Sequence, residues 1–353
     1  MSATILVSAG CLEGFCNAVL AKAGLGERDA ATLTESLVFA DLRGLAAHGV
    51  SRLPEYLARV NAGVTNLDPP MRIERETPGS ALLEANNGLG QIAGAKAMAI
   101  AIEKARTTGV ALVAVRNSSH FGAAGYFARM ACAADMIGLV TTNAAPSIAP
   151  YGAKVALVGT NPLCAAIPAA GRRPILLDMA TSVVARGKIW LAGLAGKKIP
   201  LGWALDQDGR PTDDPIAGQA GSLEAIGGPK GSGLSLVIDI LCGVLTGTTL
   251  SGEVRLIADL SAPMKVSHLF MAINIASFIN LDLFKNNIDK VIERVKSLPS
   301  VDGSEIFLPG EIEFNLEAKR RAEGIPLSAN VVAGLDQLAE RYAVPKVHTA
   351  SAR

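Results

Sequence analysis

The chain has 353 residues, enough for two or three small domains or for one large α/β core with a helical attachment. Half of the residues are hydrophobic and 18% are charged, so a sizeable core is affordable and a low charged share hints at surface hidden in an oligomer. Lys and Arg number 33 against 32 Asp and Glu, and a net charge of +1 supplies no bulk attraction for nucleic acid or an anionic membrane; the expected partner is a small molecule.

Taken in chain order, residues 12 to 43 read as two helices, with Leu33, Leu37 and Ala40 at helical spacing and Gly24 and Gly26 between them. Gly44 ends the second. A third helix is expected to start between Gly49 and Leu53, with Pro54 in its first turn and Tyr56, Leu57 and Val60 on its apolar side. Asp68-Pro69-Pro70 reads as a linker. From residue 71 short apolar runs alternate with Ala-rich helices. They are Ala81 to Glu84, a helix from Ile92 to Arg106, Val110 to Val115, a helix from Ala123 to Ala134, and Ile137 to Thr141. Such alternation predicts an α/β sheet with some parallel pairing. Pro174 to Asp178 reads as a further strand, Lys230 to Leu245 as a long apolar helix, and residues 254 to 280 as strand material. Phe284 to Leu298 and Val331 to Arg341 are amphipathic, and residues from about Pro345 read as a loose tail.

The longest apolar run, Leu234 to Leu245, contains Asp239 and is too short to span a bilayer; it is expected to be a buried helix. The five cysteines, Cys11, Cys16, Cys132, Cys164 and Cys242, form no CxxC pair and read as reduced thiols of a cytoplasmic protein. No basic segment precedes the apolar start, so no secretory leader is expected. His48 and His120 lie on different elements and no HxxxH or HExxH occurs, so no metal site is expected.

Four segments could carry chemistry. Gly88-Leu-Gly90-Gln-Ile-Ala-Gly94 approximates the dinucleotide fingerprint, but its third glycine is one place late and no acid ends the next strand. A glycine turn that packs a helix closely on the sheet explains it equally well. His120, in Arg116-Asn-Ser-Ser-His120-Phe-Gly122, stands just past the end of an apolar strand, where α/β sheets collect ligands. His268 sits before large apolar residues and reads as a core histidine, and His348 falls in the tail. His48 and Arg52, four apart, share a face if both open the third helix. Arg52 then either grips a carboxylate with its planar fork or is simply solvated. Lys230, among the glycines of Ile226-Gly-Gly-Pro-Lys230-Gly at a helix start, suits a phosphate; Pro229 directly before it departs from the Walker pattern.

An ordered set of strings then resembles one family. They are Ala40-Asp-Leu-Arg-Gly44 through His48-Gly-Val-Ser-Arg52-Leu-Pro54, Ser119-His120-Phe-Gly122, Ala149-Pro-Tyr-Gly152 with Gly159-Thr-Asn-Pro162, and Leu177-Asp178-Met-Ala-Thr181 with Ala185-Arg-Gly-Lys188. Ile199-Pro-Leu-Gly-Trp203, Gly227-Gly-Pro-Lys230-Gly231 and Pro309-Gly310-Glu311 continue it. The set resembles the type 2 malate/L-lactate dehydrogenases, a family that includes ureidoglycolate and sulfolactate dehydrogenases, diketogulonate reductase and piperideine-2-carboxylate reductase. The resemblance implies an unusual, non-Rossmann α/β NAD(P)-binding sheet flanked by helices. It implies an α/β core over 71–311, a helical region from residues 1–70 packed with helices of 312–345, and a tail of 346–353. It implies a homodimer. It assigns His120 as proton donor and acceptor, with His48 and Arg52 in the substrate pocket. It gives the cofactor to Asp178, Met179 and Ala180, to Lys230, and to Gly310 and Glu311. One departure is Ala47, where the family often carries Ser.

The expected reaction moves a hydride between NAD, with NADP as the alternative, and a small 2-hydroxy or 2-oxo acid. Neutral His120 would take the hydroxyl proton and Arg52 would fix the carboxylate. A cyclic ketimine reductase using the same hydride geometry, and a nucleotide-binding protein without catalysis, are the rival readings.

Overall fold

The computed structural model describes residues 4–347, so His348 and most of the expected tail lie outside the described residues. Strand β1 (Thr4–Val7) opens the chain, followed by α1 (Ala9–Lys22) and α2 (Glu27–Leu42). Two 3-10 turns, Ala46–His48 and Val50–Arg52, then lead into α3 (Leu53–Asn61). The third helix starts within the expected range, and His48 and Arg52 both precede it, so the condition for their sharing its face is not met. Gly49 breaks the run between them: a Cβ there would stand 2.0 to 2.4 Å from the Asp41 carboxylate, so no larger residue fits.

The sheet follows as β2 (Arg72–Thr77), β3 (Ser80–Glu84), α4 (Gly90–Thr108), β4 (Val110–Ser118), α5 (Ala124–Ala133), β5 (Met136–Thr142), β6 (Leu163–Ile167) and β7 (Ile175–Met179). Strand β4 runs three residues beyond Val115, the end expected for it. A small lobe comes next, built from α6 (Arg186–Leu194), β8 (Ala204–Leu205), β9 (Pro211–Thr212), α7 (Pro215–Ala220) and β10 (Ser222–Leu223). Helix α8 (Pro229–Asp239) passes into a π turn at Ile240–Val244. Then come β11 (Val266–Asn274), α9 (Leu281–Lys296), α10 (Glu311–Glu323), β12 (Ile325–Ser328) and α11 (Ala329–Tyr342). Of the strand expected over 254 to 280 only β11 forms; residues 254–265 are irregular.

The main sheet has seven strands in the order β2-β3-β4-β11-β5-β6-β7. Only β3 and β4, joined by α4, run parallel; every other pair is antiparallel. Alternation along the central β11 divides the sheet's two faces. Phe270 and Ala272 pack with α4 and α5, which bring Ala97, Ala101, Phe127 and Ala128. Leu269 points the other way, to Ile238 and Cys242 of α8 and its π turn. A separate core joins α1, α2, α3 and α11 with the antiparallel β1–β12 ribbon.

The run Leu234 to Leu245 is helical, but it is not the buried helix its composition suggested. Leu236, Val237, Ile240, Leu241, Val244 and Leu245 are exposed, each by 39% or more. Ser235, Ile238, Asp239, Cys242 and Gly243 form its buried side. Cys16, Cys132, Cys164 and Cys242 are free thiols, and Cys132 is only half-buried. No described helix is long and apolar enough to cross a membrane.

Candidate active site

A cavity of about 420 Å³ opens where the ends of β4, β5, β6 and β7 meet the α2–α3 connection. His48, Arg52, His120, Asp178 and Ala180 all line it, with Thr142, Thr160 and Pro162. Its opposite wall is apolar: Ala144, Ala145, Leu256, Ile257, Met264 and Val266. The loop carrying Leu256 and Ile257 is held by fully buried Arg59 of α3, whose guanidinium donates to the Ile257, Asp259 and Ala262 carbonyls.

His120 is presented by the turn after β4. Gly122 adopts a positive φ of 81° that closes this turn. Ser119 clamps it from below, accepting from the Gly90 N–H at 3.0 Å and donating to the Gly88 carbonyl at 2.9 Å. The His120 Nδ1 is bonded to the Tyr56 hydroxyl at 2.7 Å, which leaves Nε2 for the cavity. The His48 ring stacks on His120, centroids 5.3 Å apart and planes 13° from parallel. Burial holds the His120 pKa well below the usual histidine range, and His48, Arg52 and His268 push it further down. Burial and then Arg52 take His48 down to about 4. Both rings are therefore neutral near pH 7, the state a proton acceptor needs.

Arg52 spends Nε on the Ala47 carbonyl at 2.7 Å and Nη1 on Glu55. Its Nη2 edge remains for a ligand carboxylate. Asp41 anchors the whole segment: its carboxylate accepts from the Val50 N–H at 2.7 Å. Burial pushes Asp41 up to about 7, against that bond and the charge of Arg320.

Asp178 and Ala180 stand on the cavity wall, while Met179 alternates away from it. The Asp178 carboxylate accepts from the Gly125 N–H at 2.8 Å; burial in the cleft raises its pKa, opposed by Gly125 and Arg43. Lys230 and the Gly310–Glu311 turn are not in this cavity. Lys230 is exposed at the start of α8, tied to the cavity wall through the Ile226 N–H bond to the Thr181 carbonyl. Gly310 lies against Leu176, two residues back along β7 from Asp178, and Glu311 pairs with Lys296.

Sequence reasoning missed Tyr56 and Asp41. Tyr56 read as one apolar residue of an amphipathic helix, although its place four residues after Arg52 puts both on one side. Asp41 entered only within the string Ala40-Asp-Leu-Arg-Gly44, and nothing local marks its bond to the Val50 N–H. His268 is the core histidine expected, bonded to Thr142 at 2.7 Å and Ser118 at 2.9 Å.

Comparison with known proteins gives the same answer from a different direction. The family model described as malate/L-lactate dehydrogenase matches residues 7–336. A malate dehydrogenase of Pyrococcus abyssi is 43% identical over 344 residues, covering 94% of each chain. The solved sulfolactate dehydrogenase of Methanocaldococcus jannaschii superposes with a TM-score of 0.93 at 36% identity, covering 98% of this chain and 99% of the other. The Δ1-piperideine-2-carboxylate reductase of Pseudomonas syringae superposes with a TM-score of 0.85 at 30% identity, covering 95% and 100%. The chain belongs to the malate/L-lactate dehydrogenase family.

Proposed function

We propose that His120 is the proton acceptor and donor of a hydride transfer between a nicotinamide cofactor and a small 2-hydroxy or 2-oxo acid. The dehydrogenase class follows from the family, whose members carry names with NAD(+) and with NADP(+). The observation that carries the assignment of His120 is its anchoring: Nδ1 is held by Tyr56 and the ring stands neutral on the cavity wall with Arg52. In oxidation Nε2 takes the hydroxyl proton; in reduction it returns one. Arg52 binds the substrate carboxylate through its free edge and so orients the reacting carbon. His48 hydrogen-bonds the hydroxyl or the carboxylate. Arg52 is the one Lys or Arg lining the cavity among the described residues, and the opposite wall is apolar, which supports a short substrate side chain.

A nicotinamide dinucleotide fits the residues that lead away from this cavity. Asp178 and Ala180 would hold it at the wall, with only the Met179 backbone between them. The N-terminus of α8 with Lys230 would meet its phosphates. Gly310 and Glu311 would flank its far end beside β7. When bound, the group supplies or accepts the hydride. NAD is preferred over NADP because Arg172 is engaged by Glu293 and Arg173 by Asn315, contacts that a further phosphate would have to displace.

A homodimer accounts for the apolar strip on α8 and its π turn, which nothing within one described chain covers. A cytoplasmic location fits the free thiols of Cys16, Cys132, Cys164 and Cys242. A second reading, reduction of a cyclic imino acid, is favoured by the likeness to the piperideine-carboxylate reductase.

The test is His120→Asn, assayed with NADH and NADPH against pyruvate, oxaloacetate, sulfopyruvate, 2,3-diketogulonate and piperideine-2-carboxylate. Turnover should fall by about a hundredfold to ten-thousandfold while NADH still binds. Near-normal kcat in this variant would remove His120 from the mechanism.

A further inference from the structure

The apolar wall of the cavity comes mostly from residues 254–266, and the irregular stretch before β11 is closed and braced. The Arg255 N–H donates to the Met264 carbonyl at 3.2 Å, so the two ends of this loop lie side by side. The Asp259 carboxylate accepts from the Ser261 N–H at 2.9 Å, from the Ser261 hydroxyl at 2.6 Å and from Arg255 at 2.8 Å. Val254, Met264 and Val266 pack with Ala145 and Ile257. Arg59 supplies the remaining support. It is 1% exposed, and it donates Nη1 to the Ile257 carbonyl at 3.1 Å and the Asp259 carbonyl at 2.5 Å, and Nη2 to the Ala262 carbonyl at 3.0 Å. Arg59 does not line the cavity; it shapes the wall from behind.

Arg52 caps α3 with helical backbone angles, so Arg52, Tyr56 and Arg59, four and three residues apart, follow one face of that helix. The face delivers the guanidinium edge that meets a carboxylate, the partner of His120 Nδ1, and the bracket of the loop. The loop is therefore built beside the carboxylate-binding edge, while Asp178 and Ala180 line the wall at the end of β7.

What this wall lacks is a cation. Among the described residues Arg52 is the one Lys or Arg that lines the cavity, and Asp178 is the one acid. The loop's own cations, Arg255 and Lys265, do not line it, and Arg255 is paired with Asp259. The nearby polar side chains are engaged elsewhere. Thr142 bonds His268 and the Ser267 carbonyl, Asn143 bonds Thr249 and the Ser267 N–H, and Ser147 donates to the Ala145 carbonyl. With the substrate's own carboxylate on Arg52, a second carboxylate or a sulfonate would lose its water against methyl groups. An alkyl group there gains about fourfold per buried methylene.

We propose that the loop of residues 254–265, positioned by Arg59, is the specificity element for the substrate side chain, and that it selects 2-oxo acids with a small alkyl side chain over those with a second anionic group. This rests on the reading of the cavity as a 2-hydroxy or 2-oxo acid site and names the substrate class within it. It departs from malate and sulfolactate, which both carry a second acidic group.

The experiment measures kcat/KM with NADH for glyoxylate, pyruvate, 2-oxobutanoate, oxaloacetate and sulfopyruvate. Glyoxylate has no side chain and so reports on the chemistry without the wall. The wild type should gain about fourfold to tenfold per carbon from glyoxylate to 2-oxobutanoate. Oxaloacetate and sulfopyruvate should fall at least about tenfold below 2-oxobutanoate. Arg59→Met keeps the stem and removes the three donors. It should lower kcat/KM for 2-oxobutanoate at least about tenfold more than for glyoxylate, and Arg59→Lys should restore part of the difference. Leu256→Lys, at a position 62% exposed, adds a cation to the wall and should raise the ratio of oxaloacetate to 2-oxobutanoate at least about tenfold. Three results would overturn the proposal: a wild type that prefers oxaloacetate or sulfopyruvate to 2-oxobutanoate, equal losses on glyoxylate and 2-oxobutanoate in Arg59→Met, or an unchanged ratio in Leu256→Lys. The wild-type order decides even where Arg59→Met does not fold. Turnover that His120→Asn abolishes, with the order inverted, sinks the wall alone; turnover of none of the five acids sinks the 2-oxo acid reading and this inference with it.

Discussion

Gly90→Ala separates the two readings of the glycine-rich segment. One added methyl group would sit 2.3 Å from the Ser119 carbonyl oxygen, 2.6 Å from the His120 carbonyl oxygen and 2.7 Å from the His120 carbonyl carbon. Ordinary contact begins at about 3.4 Å, and all three atoms are backbone, so no side-chain rotation relieves the overlap. The His120 turn must therefore move by about 1 Å, or α4 must withdraw by as much. A displacement of about 1 Å at a reacting group costs about a hundredfold in rate, or about 2.7 kcal/mol of barrier. The same overpacking should cost about 1–3 kcal/mol of stability, and the Ser119 bonds to Gly88 and Gly90 should weaken with it. The variant should stay folded by circular dichroism, bind NADH in a fluorescence titration with near-normal affinity, and lose kcat. Lys230→Ala should show the reverse, a weaker NADH complex with kcat at saturation largely kept. A folded Gly90→Ala that loses NADH binding while Lys230→Ala keeps it would refute the placement of the cofactor and restore the dinucleotide-loop reading. A folded Gly90→Ala with wild-type kcat would refute the steric argument.

Three further outcomes are expected. Arg52→Lys keeps the charge but loses the planar edge, so KM for a carboxylate substrate should rise far more than that for NADH; an unchanged substrate KM would make Arg52 structural. Asp41 is raised from an ordinary 3.8 to about 7, so the folded chain holds a proton that the unfolded chain has shed between those values, and stability falls as pH rises through that window. Asp41→Asn keeps an acceptor for the Val50 N–H and should flatten this slope, with a higher Tm than the wild type at pH 8; parallel Tm curves from pH 4 to 8 would sink the argument. Ile240→Glu places a charge in the middle of the exposed strip on the π turn and should give a monomer in sedimentation at micromolar concentration; a wild type that is itself monomeric would overturn the proposed dimer.

The sequence revealed those parts of the molecule that local pattern determines. The apolar run of β4 followed by a polar, glycine-closed turn was enough to single out His120. The alternation from residue 80 to 142 announced β3, α4, β4, α5 and β5 within a few residues. The β1–β12 ribbon was invisible because its two strands of four residues lie at opposite ends of the chain, and only their pairing makes them strands. The helix of Leu234 to Leu245 was misjudged because an apolar surface looks the same in sequence whether its own core or something else covers it. The spacing of His48 and Arg52 suggested one helical face. The contact between Gly49 and Asp41, which no local pattern encodes, bends that segment into two short turns. Tyr56 passes for an ordinary helix residue until the fold places it behind His120.

The position of β11 in the sheet bears on how the molecule can be made. Its neighbours β4 and β5 end at Ser118 and Thr142, whereas β11 begins at Val266. A chain emerging from the ribosome therefore presents two strands with open edges, side by side in sequence, long before the strand that belongs between them has been synthesised. Pairing β4 directly with β5 would be the nearest error, and it would lock out the later strand. The His120 turn at the end of β4 is bound up with the same event, because Val266 pairs with Ser118 and His268 bonds its side chain. Assembly of the active site should thus coincide with insertion of β11, late in synthesis, and a nascent chain stalled before residue 266 should be a natural client for a chaperone that shields unpaired strand edges.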